Sequence, residues 1–370
     1  MAPSAITASS QHNHEGDQDL DLTTAIEHKI INSGWTLGKP AKPASSLEPL
    51  DASQIKVDFT TSPRAVPTPE AANAGPETIC TDHMIIAKWT VSEGWSMPHL
   101  KPYGPLELMP TASVLHYATE CFEGLKCYRG FDGKLRLFRS RRNAERMLMS
   151  SLRISLPGFD PCELEKLMIK LLSVDGPRWI PRSRPGTFMY LRPTMIGTQS
   201  QLGVMCSREA MLFIICTFMP QLDSPQGGMR LHTSPEDMVR AWVGGFGYAK
   251  VGANYGPSLL ATNEAREKGY HQILWLYGKD MECTEAGASN FFVVWKNRDT
   301  GRTEVVTAPL DNRLILDGVT RASVVELARK RCPEVDVIER KYTIVEVMEA
   351  YEEGRLMECF AAGTAVSLLS

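Results

Sequence analysis

Lys250 lies within Gly244-Gly245-Phe246-Gly247-Tyr248-Ala249-Lys250-Val251-Gly252-Ala253-Asn254-Tyr255-Gly256-Pro257, where five of the first thirteen residues are glycine. Glycine has no side chain and tolerates positive φ, so a ligand or another backbone segment can approach such a run closely. A lysine there either cradles a phosphate or offers an amine to a carbonyl. The loop pattern G-x-x-x-x-G-K-[ST] fails, because Ala249 precedes Lys250 and Val251 follows it. The pattern G-x-G-x-x-G fails as well, because the residue three after Gly247 is Lys250 itself. What is left is an amine that forms an imine with a carbonyl group. The bland alternative is a surface lysine beside a glycine-rich turn.

Other chemistries find less support. The nine cysteines are scattered and odd in number, with no C-x-x-C pair, so a reduced compartment is expected and no disulfide framework is. The histidines are dispersed too, and no zinc-ligand spacing is present. A net charge of −3 leaves no basic footprint for nucleic acid or an anionic membrane. No apolar run approaches the roughly 20 residues of a membrane span.

The 370 residues, 43% of them hydrophobic, are enough for about two domains with real cores. Residues 1–28 carry five acids and no Lys or Arg, unlike a mitochondrial transit peptide. Residues 1–75 are therefore expected to be a disordered acidic and Pro-rich arm of a cytoplasmic protein. Residues 220–228, Pro220-Gln221-Leu222-Asp223-Ser224-Pro225-Gln226-Gly227-Gly228, read as a linker. They separate a smaller domain, 76–219, from a second one, 229–370. Strands are expected over 187–193, 211–218, 272–277 and 291–295. A helix begins at Asp160-Pro161-Cys162-Glu163 as a capping box and carries Leu164, Leu167, Met168 and Leu171 at helical spacing. Residues 143–154 form a second helix with Met147, Leu148 and Leu152 inward. A third starts at Thr343-Ile344-Val345-Glu346 and runs to about residue 354.

Read together, several segments carry a resemblance. They are Tyr117-Ala118-Thr119-Glu120-Cys121-Phe122-Glu123-Gly124-Leu125-Lys126, residues 139–146, Tyr190-Leu191-Arg192-Pro193, residues 240–257, Thr284-Glu285-Ala286-Gly287-Ala288-Ser289-Asn290, residues 316–321 and Gly363-Thr364-Ala365. In this order, from about residue 81 to 365, the chain closely resembles the branched-chain amino acid aminotransferases. The resemblance implies an α/β (α+β) fold of type IV, two domains of mixed sheet or barrel with flanking helices, and pyridoxal 5'-phosphate (PLP) as cofactor. It implies transamination of leucine, isoleucine and valine with 2-oxoglutarate, and a homodimer.

Residue by residue, the resemblance makes Lys250 the lysine bonded to the cofactor and the catalytic base. Glu285 matches the carboxylate at the ring nitrogen. Arg146 matches the phosphate-binding arginine, a role that suits a guanidinium. Gly318, Val319 and Thr320 match the turn opening a helix toward that phosphate, where the dipole and unpaired N–H groups favour an anion. Arg240, Tyr255, Ala288, Leu316 and Thr364 match further cofactor positions. Tyr117, Phe122, Tyr190 and Arg192 match the substrate pocket, whose aromatic walls suit an aliphatic side chain while Arg192 and Tyr190 serve the distal carboxylate of glutamate. Thr364 and Ala365 match the turn that holds the α-carboxylate.

Two departures stand out. Ala288 replaces the family's usual threonine; one lost hydrogen bond is worth about 1 kcal/mol, so modulation is expected rather than loss of activity. The family also continues past Gly363-Thr364-Ala365, so the C-terminal part of the second domain is expected to be missing, with exposed edges as the consequence. The competing readings are another fold type IV enzyme (a D-amino acid aminotransferase or an aminodeoxychorismate lyase) and an inactive PLP-binding remnant.

Overall fold

Residues 47–68, 71, 78–218 and 228–364 are described by a computed structural model. The acidic start, most of the 220–228 linker and Ala365 lie outside them.

The N-terminal half builds one mixed sheet in the order β1-β4-β2-β9-β8-β6-β7. Its strands are β1 (Lys56–Val57), β2 (Ile79–Thr90), β4 (His99–Pro102), β6 (Leu125–Arg129), β7 (Leu135–Leu137), β8 (Phe188–Gly197) and β9 (Glu209–Phe218). Short β3 (Gly94–Trp95) pairs with β2, and β5 (Glu120–Phe122) pairs with β8. Helix α1 (Val114–Tyr117) is a single turn; α2 (Ser140–Arg153) and α3 (Pro161–Trp179) are longer. On α3, Leu164, Leu167, Met168 and Leu171 are fully buried in the first core, as their spacing requires. Asp160 caps α3 by accepting the Cys162 N–H at 2.7 Å. The expected capping box does not close, because Glu163 turns away and accepts the Ala52 N–H at 2.7 Å. Helix α2 starts three residues earlier than its apolar periodicity indicates, and Met147 and Leu148 are inward as expected.

That Ala52–Glu163 bond belongs to the main difference from the composition-based expectation. Residues 47–68 are not a free arm. Leu50 is buried in the first core, β1 runs parallel to β4, and the Thr60 N–H donates to His83 Nε2 at 2.9 Å. Sheet pairing and burial supply order that a Pro/Ala/Ser-rich composition does not advertise.

Strand β8 is the spine of the first sheet: every residue is buried except half-buried Arg192. Pro193, which has no N–H to donate, faces the break where the partner of β8 changes from β5 to β6. Gly124 occupies that break, and a Cβ there would lie 1.7 Å from the Tyr190 hydroxyl.

The second sheet has the order β10-β11-β12-β13-β14-β15, with β16 also on β13. Its strands are β10 (Leu231–Thr233), β11 (Gln272–Tyr277), β12 (Glu282–Ala286), β13 (Ser289–Lys296), β14 (Thr303–Thr307), β15 (Val335–Glu339) and β16 (Leu356–Ala362). Helices α4 (Leu259–Glu267), α5 (Val319–Arg331) and α6 (Ile344–Glu352) accompany it. Thr343 caps α6 by accepting the Glu346 N–H at 3.1 Å. Among the described residues both sheets are open, so the mixed-sheet form of the expectation holds and the barrel form does not. No helix among them is long and apolar enough to cross a membrane.

Candidate active site

Lys250 is held by its backbone before its amine is considered. Its N–H donates to Ser150 Oγ on α2 at 2.8 Å, and its carbonyl accepts the Phe122 N–H of β5 at 3.1 Å. Asn254 braces the same loop, donating to the carbonyls of Phe246 at 3.1 Å and Ala249 at 2.8 Å. The side chain is half-buried, and Nζ donates to the Tyr255 hydroxyl at 2.9 Å. The same amine lies 4.7 Å from the Phe122 ring centre, and the Phe122 and Tyr255 rings pack 5.1 Å apart. These contacts exclude a freely solvated surface lysine.

Glu285 projects from β12 into a buried setting. Oε1 accepts from Asn290 Nδ2 and from the Leu316 N–H, both at 3.1 Å. Oε2 has Arg240 Nη2 at 2.8 Å, but no N–H points along that line, and the oxygen has no aligned donor. A buried carboxylate oxygen in this state costs free energy unless a further donor fills it. Leu316 therefore acts through its amide. Asn290, which also donates to the Leu316 carbonyl at 2.9 Å, ties β13 to the segment leading into α5.

Arg146 is buried on α2. It donates from Nε to Glu123 Oε1 at 2.6 Å, from Nη2 to Glu123 Oε2 at 2.8 Å and from Nη1 to the Asp317 carbonyl at 2.9 Å. A guanidinium has five N–H groups, so two remain for an anion. Burial alone would push the Glu123 carboxyl up; the Arg146 charge, with help from Lys250 and Asn143, holds it below the ordinary carboxylate range. Burial also opposes the charge on Arg146, and Glu123 overrides it. One residue past Asp317, Gly318 caps α5 with no side-chain bond, so the first-turn N–H groups of Val319 and Thr320 have no intrahelical acceptor. A Cβ on Gly318 would lie 2.0 Å from Asn290 Oδ1, which leaves glycine as the residue that fits.

Arg192, on β8, sets its guanidinium 4.7 Å from the Phe122 ring centre and 5.2 Å from that of Tyr190. Nη2 donates to the Tyr190 hydroxyl at 3.1 Å, while Nε is buried without a partner. No carboxylate lies within ion-pair distance among the described residues. Such a cation is suited to receive an acid group from outside.

Three expected positions stand outside these bonds. Tyr117 is exposed at the end of α1, Ala288 occupies the exposed turn of the β12–β13 hairpin, and Thr364 is half-buried at the end of the described chain. The sequence does not single out Glu123, Asn290 or Ser150, although two of them lie inside the motifs quoted above. Glu123 and Asn290 are an acid and an amide inside motifs already rich in chemistry, whereas Ser150 carries no such signal; beside local links such as Glu123–Gly124, Ser150–Arg146 and Glu285–Asn290, the bonds that give them a role reach Asn143, Arg146, Leu316 and Lys250, each 20 or more residues away.

Concave surface exists elsewhere. A cavity of about 390 Å³ is lined by Phe59, Thr60, Asp82, His83, Asp175 and Arg178 among others. Its polar groups are already matched: His83 Nδ1 donates to Asp175 Oδ1 at 2.6 Å, and Asp82 accepts from Arg178 and Trp179. Among the buried polar atoms without an aligned partner, Glu285 Oε2 and Arg192 Nε belong to the residues described above; the others are on Thr81, Asp317, Arg321 and Tyr342. A PLP molecule fits the donor set around Lys250: a primary amine for its aldehyde, the Glu285 oxygen for its ring N–H, and Arg146 with the start of α5 for its phosphate.

The comparisons agree with this geometry. The amino-transferase class IV family model matches residues 120–369. A mitochondrial branched-chain-amino-acid aminotransferase of Schizosaccharomyces pombe is 46% identical over 86% of this chain and 74% of its own length. The cytosolic one of Mus musculus is 47% identical over 77% of this chain and 73% of its own length. Among solved structures, a T.th. branched-chain amino acid aminotransferase complexed with N-(5'-phosphopyridoxyl)-L-glutamate is 25% identical, with a TM-score of 0.58 over 76% of this chain and 83% of that one. The branched-chain aminotransferase of Thermoproteus uzoniensis with norvaline, at 23% identity and a TM-score of 0.60, covers 77% of this chain and 85% of its own; it speaks to the fold alone. With this extent and identity, the chain belongs to the class IV aminotransferases and, within them, to the branched-chain-amino-acid aminotransferases.

Proposed function

We propose that this protein is a PLP-dependent transaminase that exchanges the amino group of leucine, isoleucine or valine with 2-oxoglutarate, giving branched 2-oxo acids and L-glutamate. The observation that carries the reading is the linked set of the Lys250 amine, the buried Glu285 carboxylate paired with Arg240, and the spare N–H groups of Arg146. When bound, PLP supplies an aldehyde for the amino group and a ring that withdraws electrons. Lys250 would take the substrate α-proton on Nζ and hand it back on the far side of the amino nitrogen, acting as base and then acid. Tyr255 steadies that amine through the 2.9 Å hydrogen bond. Glu285, neutralised in part by Arg240, keeps a proton on the ring nitrogen. Phe122 and Tyr190 give apolar walls for an aliphatic side chain. Arg192 receives the distal carboxylate of glutamate, and the amides near Thr364 hold the α-carboxylate.

Aromatic walls and an acid-binding arginine in one pocket support amino donors of both kinds. The relatives' names support this substrate class over the D-amino acid and lyase alternatives. A homodimer and a cytoplasmic setting complete the proposal. Named relatives include both cytosolic and mitochondrial proteins, so fractionation of source cells tests the setting, and light scattering tests the dimer.

The decisive experiment loads the full chain with PLP, reduces it with borohydride and maps the modified residue by mass spectrometry. Label on Lys250, with glutamate formed from leucine and 2-oxoglutarate, is expected. Label elsewhere, or no glutamate, overturns the reading.

A further inference from the structure

Two acids of one short segment, Glu120 and Glu123, face different surroundings. Glu123 is fully buried and bonded to Arg146 and Asn143. Glu120 is half-buried on β5, and among the described residues its carboxylate accepts no hydrogen bond and has no cation within ion-pair distance. Cys121 between it and Phe122 points into the first core, so strand alternation puts Glu120 and Phe122 on the opposite face together. Phe122 is the ring flanked by Lys250 Nζ, Arg192 and Tyr255. The Glu120 carboxylate also rests on the backbone of Gly252, two residues beyond Lys250: a Cβ at Gly252 would lie 2.6 Å from Glu120 Oε2. The glycine leaves the room that this carboxylate occupies.

One face therefore presents an unpaired acid, Glu120, and an incompletely bonded cation, Arg192, beside the amine that does the chemistry. An aliphatic side chain entering here is indifferent to both charges. A second carboxylate is drawn to Arg192 and repelled by Glu120. We propose that Glu120 is a specificity-determining residue of this site, whose negative charge weakens the hold of Arg192 on dicarboxylic substrates relative to branched aliphatic ones. The inference rests on the transaminase reading above and adds the residue that sets its balance between the two amino donors. Burial pushes the Glu120 carboxyl above the ordinary range, with the Arg192 charge partly offsetting it, as expected of an acid held near the pocket without a partner.

The test uses the full PLP-loaded protein with Glu120→Gln, which removes the charge and keeps the shape, and Glu120→Ser, which removes both. Half-reactions with L-glutamate and L-leucine are followed separately. The ratio of kcat/KM for glutamate over leucine is expected to rise about tenfold in both variants, the size of one screened like-charge repulsion at pocket distances. Calorimetry supplies a second readout: the Kd of glutarate, a dicarboxylate without an amine, should fall about tenfold relative to that of 4-methylvalerate. If either variant misfolds, the other decides. A ratio that stays constant or falls in a folded, PLP-loaded variant overturns the inference, as does an equal loss with both amino acids. Failure of the unmodified protein to turn over either amino acid instead overturns the transaminase reading, and the inference with it.

Discussion

At the scale of single residues, the site is organised by buried groups with uneven bonding. Glu285 has one oxygen doubly satisfied and the other without an aligned donor, and Arg192 has a buried Nε without a partner. Both leave bonding capacity that a ligand could use. Glu123 is the opposite case, an acid whose lone pairs are filled by Arg146, Asn143 and the Gly124 N–H. Its role is to hold Arg146 in place, so it is a positioning residue. Removing its charge leaves Arg146 buried and unmatched, which costs about 3–5 kcal/mol. Glu123→Gln should therefore lower the urea-unfolding free energy by about that amount at pH 7 and weaken PLP binding. The sign of the pH dependence follows from the Glu123 carboxyl lying below its ordinary value. Its stabilisation is present in full above the unfolded value of about 4.3 and is lost as pH falls through the lower folded value. The gap between parent and variant should shrink as the unfolding measurement moves from pH 7 toward pH 3. A gap that is constant with pH would remove Glu123 from this role.

At the scale of elements, chain segments distant in sequence are brought to one place by strand pairing. Strand β5 sits beside β8 and receives the Lys250 loop through the bond from Phe122 N–H to the Lys250 carbonyl. Helix α2 meets both Lys250, through Ser150, and the start of α5, through Arg146 and the Asp317 carbonyl. The start of α5 is in turn fitted against Asn290, which leaves no room for a side chain at residue 318. In Gly318→Ala the methyl group must displace Asn290, and with it the bonds to Glu285 and Leu316. PLP affinity should fall by about tenfold or more, a cost of about 1.4 kcal/mol or more, by fluorescence titration. Unchanged affinity would show that Asn290 and α5 do not set the cofactor site. The helices and strands themselves are largely legible in the sequence. The 3.6-residue repeat on α3 and the apolar runs of β9, β11 and β13 announce them, because each face has one environment. The Glu163 end of the α3 capping box is not legible, because a tertiary partner, the Ala52 N–H, competes with the local one.

At the scale of the whole molecule, residues 47–68 belong to the folded body. They place Leu50 in the first core and hydrogen-bond to α3 and β2 through Ala52 and Thr60. Leu50→Ala should therefore cost about 2–5 kcal/mol in denaturant unfolding, as for a core leucine, against well under 1 kcal/mol for an exposed arm. A loss under 1 kcal/mol would return this segment to the arm that its composition describes.

The sequence alone determined which chemistries were available. A lysine in a glycine-rich run, an acid at the head of a hairpin and an arginine on an amphipathic helix are local features, and local patterns carry them. The fold decided who meets whom. Arg146 finds Glu123 across 23 residues, and Lys250 finds Ser150 across 100. It also decided which polar groups stay unfilled at Glu285 and Arg192. Those pairings depend on sheet register and on burial, which raises the cost of an unmatched charge, and neither is written in the order of residue types.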